Sequence, residues 1–504
     1  MPIDVDQPRS DGWWMKRLFD KLNNSERRKR LDLLYEYYQG RPRLPEGADN
    51  AAEAYRAFQR KARANFAELA VSAVSERMIV TGFRTGVDSD ETGDAQAAAI
   101  WKRAGMSVVS ADLHDLMLTM SEAYVIVGEV DPRTKAPVIT AEDPRWMVGA
   151  PDQKNPNFLR AALKVKHDDE EEADFAYLYL PGRVRVARRM GKSTGGRVAY
   201  FSPKAWEWDE ERSGQLVHDQ MPVVRFPNKD GCGEFEKHLD VLDRISHQIL
   251  QRMTIATMQA FRQRAIKGLP LTYPAGHPKA GQEIDYSEMF TLDPAALWQL
   301  PESAEIWESG QVDLTPILSA VKDDLQEFAA VTRTPLYMLM PSGVNQSAQA
   351  ASAQREGLVK KTGDRIARTS HPWAQVMSLA FRQMGDKQRA DLAGLETLWA
   401  NPEWMSLAER ADAASKAQDV PWRTKMIRIW GFSPSEVDRM ASERADDMLL
   451  AAQIAAATAG RQQPPAVPVP PASAVPAQPV QQPGGAAVLP PIPADAAAEL
   501  GPVS

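Results

Sequence analysis

The sequence predicts an α+β fold, mainly helical, and three observations carry that prediction. Apolar residues recur at helical spacing through the first hundred residues and again from residue 235 onward. Between these regions, residues 121–227 break into short β-branched and aromatic runs separated by Asp, Pro, Asn or Gly. After residue 461 the chain turns to Pro, Ala, Gln and Val without periodicity, the composition of a disordered tail.

The totals are those of a folded protein. The chain has 504 residues, 43% of them hydrophobic, which is enough for roughly two to four domains. One cysteine, Cys232, excludes an internal disulfide framework and a Cys-rich zinc site. The first ten residues are polar and acidic and lack the basic, then apolar, pattern of a secretory signal. No apolar run is long enough for a membrane span, so no membrane partner is expected. The formal net charge of -7 lowers the odds of a tight, static grip on nucleic-acid phosphates.

Taken in order, Trp14, Leu18 and Leu22, then Leu34 and Tyr38, then Tyr55, Phe58, Phe66 and Leu69 follow a helical period, broken at Gly40-Arg-Pro42. A second helical region covers 95–121. Strands are expected at 123–128, 161–166, 175–180, 183–187 and 197–201, in a mostly antiparallel sheet that the run 221–228 closes. A long helix follows over 235–267, with Leu242, Ile245, Ile249, Met253, Ala256 and Ala260 on one face and Gly268-Leu-Pro270 stopping it. Two readings of it stand: a long core helix, or a seam that packs against copies of itself. Arg244, Arg252, Arg262, Arg264 and Lys267 either complement its dipole or meet acidic groups on a neighbouring subunit.

Residues 270–311 are rich in proline and aromatics. Thr315-Pro316 starts another helix, threonine at its cap and proline in its first turn, with Ile317, Val321, Leu325 and Phe328 on one face. The run Pro341, Ser342, Gly343, Val344, Asn345, Gln346 is a loop by its chemistry, and it carries no charge. A long helix follows from Ser347 to about Met384, with Pro372 expected to kink it. Two or three helices fill 405–455.

Signatures of enzyme chemistry are missing. Gly191-Lys-Ser-Thr194 ends like a phosphate-binding loop, but Val186 stands where that motif needs glycine. The segment reads as a hairpin turn between strands. The seven histidines have no partners at ligand spacing, and 168–172 reads as a solvated acidic loop, so no metal, cofactor or catalytic residue is assigned.

The order of parts, together with Pro222-Val-Val-Arg-Phe-Pro-Asn228, Thr334-Pro335, Pro341-Ser-Gly-Val-Asn-Gln-Ser-Ala348 and Leu398-Trp-Ala-Asn-Pro402, resembles the portal proteins of long-tailed bacteriophages. Within that family it is most similar to portals from phages of actinobacterial hosts. The resemblance covers about 15–455 and implies a portal fold with wing, stem, clip and crown regions. By that resemblance 1–235, with parts of 330–400, is the wing, and 236–268 and 312–331 are the stem helices. The clip is 269–311, and 332–400 holds the tunnel loop and a long wing helix. The crown is 401–458, and 459–504 is the tail. The implied protein is a non-enzymatic ring, normally of twelve copies, at one capsid vertex of the virion, assembled in the host cytoplasm. Its implied partners are the major capsid protein, the terminase large subunit, a head-tail adaptor and double-stranded DNA passing without sequence readout. The loop 341–346 is implied to line the DNA channel; its residues alone fit a plain surface connection equally well. Leu242, Ile245, Ile249, Met253, Ile317, Val321, Leu325 and Phe328 are expected to pack the stem. Two other classes compete: another helical head-tail protein, such as an adaptor, which is usually much shorter, and a nucleotide-dependent packaging enzyme, which Val186 argues against.

Overall fold

A computed structural model describes residues 3–44, 53–88, 93–191, 201–260, 264–286, 305–308, 310, 312–340, 348–403, 407–432 and 434–459. It divides into two compact units, Met1–Asp438 and Arg439–Ser504.

The first unit begins with α1 (Asp11–Leu22), α2 (Ser25–Tyr38), α3 (Glu53–Lys61) and α4 (Phe66–Ser75). Strand β1 (Val80–Arg84), α5 (Ala95–Arg103) and α6 (Met106–Met120) follow. Side chains of Ser10, Asn24, Asn65 and Asp94 accept from first-turn N–H groups and so set where α1, α2, α4 and α5 begin. The helical region expected over 95–121 is two helices, because Gly105 takes a left-handed conformation (φ 66°) between them.

The described residues of 122–227 hold eight strands: β2 (Glu122–Asp131), β3 (Ala136–Glu142), β4 (Met147–Pro151), β5 (Leu159–Asp168), β6 (Ala173–Leu180), β7 (Arg183–Met190), β8 (Glu207–Gln215) and β9 (Val223–Pro227). The expectation of one sheet is corrected to two, both antiparallel, in the orders β3-β2-β9 and β4-β5-β6-β7-β8. Strand β2 shows why. Its period of two sends Ala123, Val125 and Val127 into the helical core, and Tyr124 and Ile126 against Leu159, Ala162 and Tyr179 of the larger sheet. The Tyr124 hydroxyl accepts from Gly149 N at 3.1 Å and ties the two sheets together. Strand β8 gave no sequence signal because Glu207, Asp209, Glu210, Glu211 and Arg212 make it a charged edge. Of the strand expected at 197–201, residues 197–200 lie outside the described residues. Phe201 is not in a strand and stacks on Phe19 at 5.1 Å.

The chain continues through α7 (Leu239–Ala260), β10 (Arg264–Lys267), β11 (Glu305–Glu308), α8 (Thr315–Thr332), α9 (Leu336–Leu339) and α10 (Ala348–Gln383). Strand β12 (Glu396–Trp399), α11 (Leu407–Lys416), α12 (Trp422–Lys425) and α13 (Pro434–Ala459) complete it. Two expectations change here. The helix expected over 235–267 ends at Ala260, since Arg264–Lys267 pairs antiparallel with β11. The first hundred residues are not wholly helical, since β1 pairs with β12. In both cases a partner far along the chain supplies the hydrogen bonds that decide the local structure. Helix α10 runs through Pro372, whose missing N–H leaves the Arg368 carbonyl without its helical donor. The tail, residues 460–504, lies outside the described residues. In the second unit the described residues are helical, with Met448, Leu449, Leu450 and Ile454 exposed.

Two cores result. Helix α1 lays Met15, Leu18, Phe19 and Leu22 on the five-stranded sheet. The larger core joins α2, α4, α6, the three-stranded sheet, α7, α8 and α10. Trp373 of α10 sits near its centre, 4.9 Å from Phe226 and 5.2 Å from Trp101 between ring centroids, and donates Nε1–H to His114 Nε2 at 3.1 Å. Burial pushes His114 down to about 3 from an ordinary value of 6.5. The unfolded chain therefore binds a proton that the folded chain refuses, and stability falls as pH drops below about 6.5. At pH 5 the loss is about 2 kcal/mol. Urea midpoints at pH 7.5 and pH 5 are expected to differ accordingly, with a smaller difference in His114→Gln, whose side chain does not titrate. An unchanged difference in that variant would remove His114 as the cause.

Candidate functional site

The most distinctive construction is an arm made by α7 and α8. Arg244 Nε donates to Asp324 Oδ1 at 2.8 Å and Nη2 to Glu327 Oε2 at 2.5 Å, while Gln259 Nε2 donates to the Val312 carbonyl at 2.8 Å. Early α7 thus meets late α8, and late α7 meets the start of α8, so the helices are antiparallel. The antiparallel pair β10–β11 continues the arm, its register setting Lys267 opposite Glu305 and Ile266 opposite Ile306. Arg244 finds two acids, Asp324 and Glu327, within its own chain.

Leu242, Ile245, Val321, Leu325 and Phe328 are buried together in the larger core. Ile249 packs at its edge, and Met253 and Ile317 are half-buried. Burial thins outward along the arm: Ala256 is exposed, and Val312 and Leu318 are 50% and 39% exposed. The arm's outer part has apolar surface that the described residues do not cover.

Beneath the arm lies an ionic junction that the sequence reading missed. Gly233 makes it reachable: a Cβ there would stand 2.3 Å from the Thr119 carbonyl oxygen, so glycine alone lets the chain pass. Glu234 follows it, with a side chain 2% exposed. It accepts from Lys361 Nζ at 2.7 Å, Arg365 Nε at 2.6 Å and Asn228 Nδ2 at 3.1 Å. Lys361 Nζ also donates to the Thr332 carbonyl at 2.9 Å, at the last turn of α8. One carboxylate therefore joins the entry to α7, the end of α8 and the middle of α10. Burial pushes the Glu234 carboxyl up, but Lys361 and Arg365 outweigh it and hold it below the usual glutamate range. A signal existed in the sequence: Lys361 and Arg365, four apart, interrupt the otherwise uncharged buried stripe Leu358, Thr362, Thr369, Trp373.

Just past this junction, Arg333 caps α8 in the left-handed region (φ 53°), and α9 ends at Leu339. The expected channel residues Pro341, Ser342, Gly343, Val344, Asn345 and Gln346 come next and lie outside the described residues. The Gly191-Lys-Ser-Thr194 segment falls between β7 and β8, which pair antiparallel; residues 192–194 lie outside the described residues. Among the described residues no group of three or more His, Cys, Asp or Glu side chains is placed to hold a metal ion.

The family model described as "Phage portal protein, SPP1 Gp6-like" matches residues 19–448, from α1 into α13 and across both arm helices. The chain belongs to the phage portal protein family. The portal proteins of Mycobacterium phage D29 and Mycobacterium phage L5 are each 26% identical to it over 403 residues, 75% of this chain and 78% of theirs. Among solved structures, a chain from the neck of a native GTA particle computed with C12 symmetry aligns with a TM-score of 0.42 at 11% identity, covering 76% of this chain and 94% of that one. A chain from the virion of a native gene transfer agent particle gives 0.39 at 11% identity, over 79% and 97%. As a member of that family the chain is a portal protein, and its described residues form an α+β, mainly helical fold.

Proposed function

We propose that copies of this portal protein close into a ring, normally of twelve, at one capsid vertex of the virion, through which double-stranded DNA is packaged and ejected. The observation that carries this is the family match over 19–448, which spans the whole arm and the segment between its helices. In this reading α7 and α8 are the stem and the segment from β10 to β11 is the clip, facing the terminase large subunit and later a head-tail adaptor. Residues 1–235 with much of α10 are the wing, held against the major capsid protein, and α11 to α13 form the crown. The half-buried Met253 and Ile317 and the exposed Leu318 support the ring, because head-to-tail contacts that close by rotation would cover them. The role is mechanical and non-enzymatic. Among the described residues no helix is long and apolar enough to cross a membrane. Negative-stain microscopy of the purified protein is the direct test: a ring with a central hole is expected, and a uniform monomer would end the proposal.

The uncharged loop 341–346 is assigned to the channel wall, touching phosphates transiently and reading no bases. Replacing Val344 and Gln346 by lysine sets two extra cations per subunit against a polyanion. Rings are expected to form normally, and in vitro packaging to slow or stall at low salt and recover as salt screens the attraction. Unimpaired packaging at low salt by the double variant would take the loop off the channel wall.

A further inference from the structure

In the second unit α13 turns apolar at Met448. Of the nine residues 448–456, Gln453 alone is polar. Met448, Leu449 and Leu450 are 59%, 62% and 57% exposed, and within this unit no described residue covers them. Successive helical residues point about 100° apart, so these three face different sides of α13. A helix apolar on every side is ordinarily enclosed. Three adjacent large side chains open to water also form a patch, unlike the scattered single exposures of most surfaces.

The same helix of a second copy is a poor cover. A helix-to-helix seam takes one stripe and leaves the other sides open. Copies related by rotation also stand level, so a close seam sets Asp446 and Asp447 beside the same pair of the next copy. The chain itself holds a better one. The apolar end of α13, 448–459, is about 18 Å long and carries no charge. Residues 462–494, which follow it, carry none either, so contact between the two desolvates no charge. Among them Ala486-Ala-Val-Leu-Pro-Pro-Ile-Pro493 is apolar throughout. A link as long as 460–485 spans on the order of 30 Å, enough to bring this run back along the helix. Tethered to the end of α13, the run meets the patch at the high effective concentration of an intramolecular partner.

We propose that residues 486–493 dock on the apolar end of α13. Val488, Leu489 and Ile492 supply the contact to Met448, Leu449 and Leu450, and the prolines keep the run extended so that it crosses more than one side of the helix. The tail's composition builds no core of its own, but it needs none against a helix already formed. The proposal holds for a single chain and does not rest on the ring.

Hydrogen exchange read by mass spectrometry on the full chain is the test. Wild type is compared with the triple variant Val488→Ser, Leu489→Ser, Ile492→Ser and with a chain ending at Gly460. Both changes leave every described residue as it is. Amides of 448–459 are expected to exchange at least tenfold faster in both, with α6 and α10 unchanged, because an uncovered helix end opens freely. Equal protection in all three chains would give the patch to a second copy or another partner and overturn the proposal. Fast exchange of 448–459 already in the wild type would overturn it too.

Discussion

Glu234→Ala is expected to lose about 3–5 kcal/mol of stability, enough to leave much of the protein insoluble at 37 °C. Among the described residues Glu234 is the one acid paired with Lys361, and its removal leaves that buried ammonium without a counter-charge and Arg365 with Asp364 alone. Asn228 and the entry to α7 lose an anchor at the same time. The loss comes from uncompensated charge more than from a missing attraction, and this has a consequence that can be checked. Replacing Glu234, Lys361 and Arg365 together by apolar residues of similar size is expected to recover part of the stability, although the Thr332 carbonyl then loses its donor. Urea unfolding followed by tryptophan fluorescence measures both. A wild-type midpoint for Glu234→Ala would mean the junction does not hold the arm to the body.

Ile245→Asp is expected to abolish ring formation. Ile245 is fully buried where α7 meets the larger core, and a carboxylate there has no partner and no path to water, at a cost of several kcal/mol. Ile249→Asp, one turn further out at the edge of the same core, is expected to act in the same direction with a smaller effect, because its carboxylate can reach solvent. Size-exclusion chromatography with light scattering separates rings from lone chains. Normal rings from Ile245→Asp would show that the α7 seam is not needed for assembly. Circular dichroism on the same samples shows whether the chain remains folded.

The sequence carried the arm further than it carried the sheets. Leu242, Ile245, Val321, Leu325 and Phe328 are legible because helical burial repeats every three or four residues, and a repeat can be read without knowing what covers it. Strand β8 was not legible, because a charged edge strand has the composition of a loop and only its pairing with β7 makes it a strand. The candidate site divides the same way. The loop 341–346, outside the described residues, is proposed from its residue types alone, whereas the junction at Glu234 depends on which carboxylate the fold brings to Lys361 and Arg365, 127 and 131 positions away in sequence.

By itself, then, the sequence determined the mainly helical α+β class, the two arm helices, and the resemblance to portal proteins. Each of these is written in local periodicity or in short ordered motifs. Only the tertiary structure decided that the β-rich block is two sheets sharing the two-faced strand β2, that the helix stops at Ala260 so that Arg264–Lys267 can pair with Glu305–Glu308, and that one buried glutamate clamps the base of the arm. Those are non-local pairings. Hydrogen bonds between strands and charges neutralised inside a core depend on partners that chain distance conceals, and they become visible only once the chain has folded.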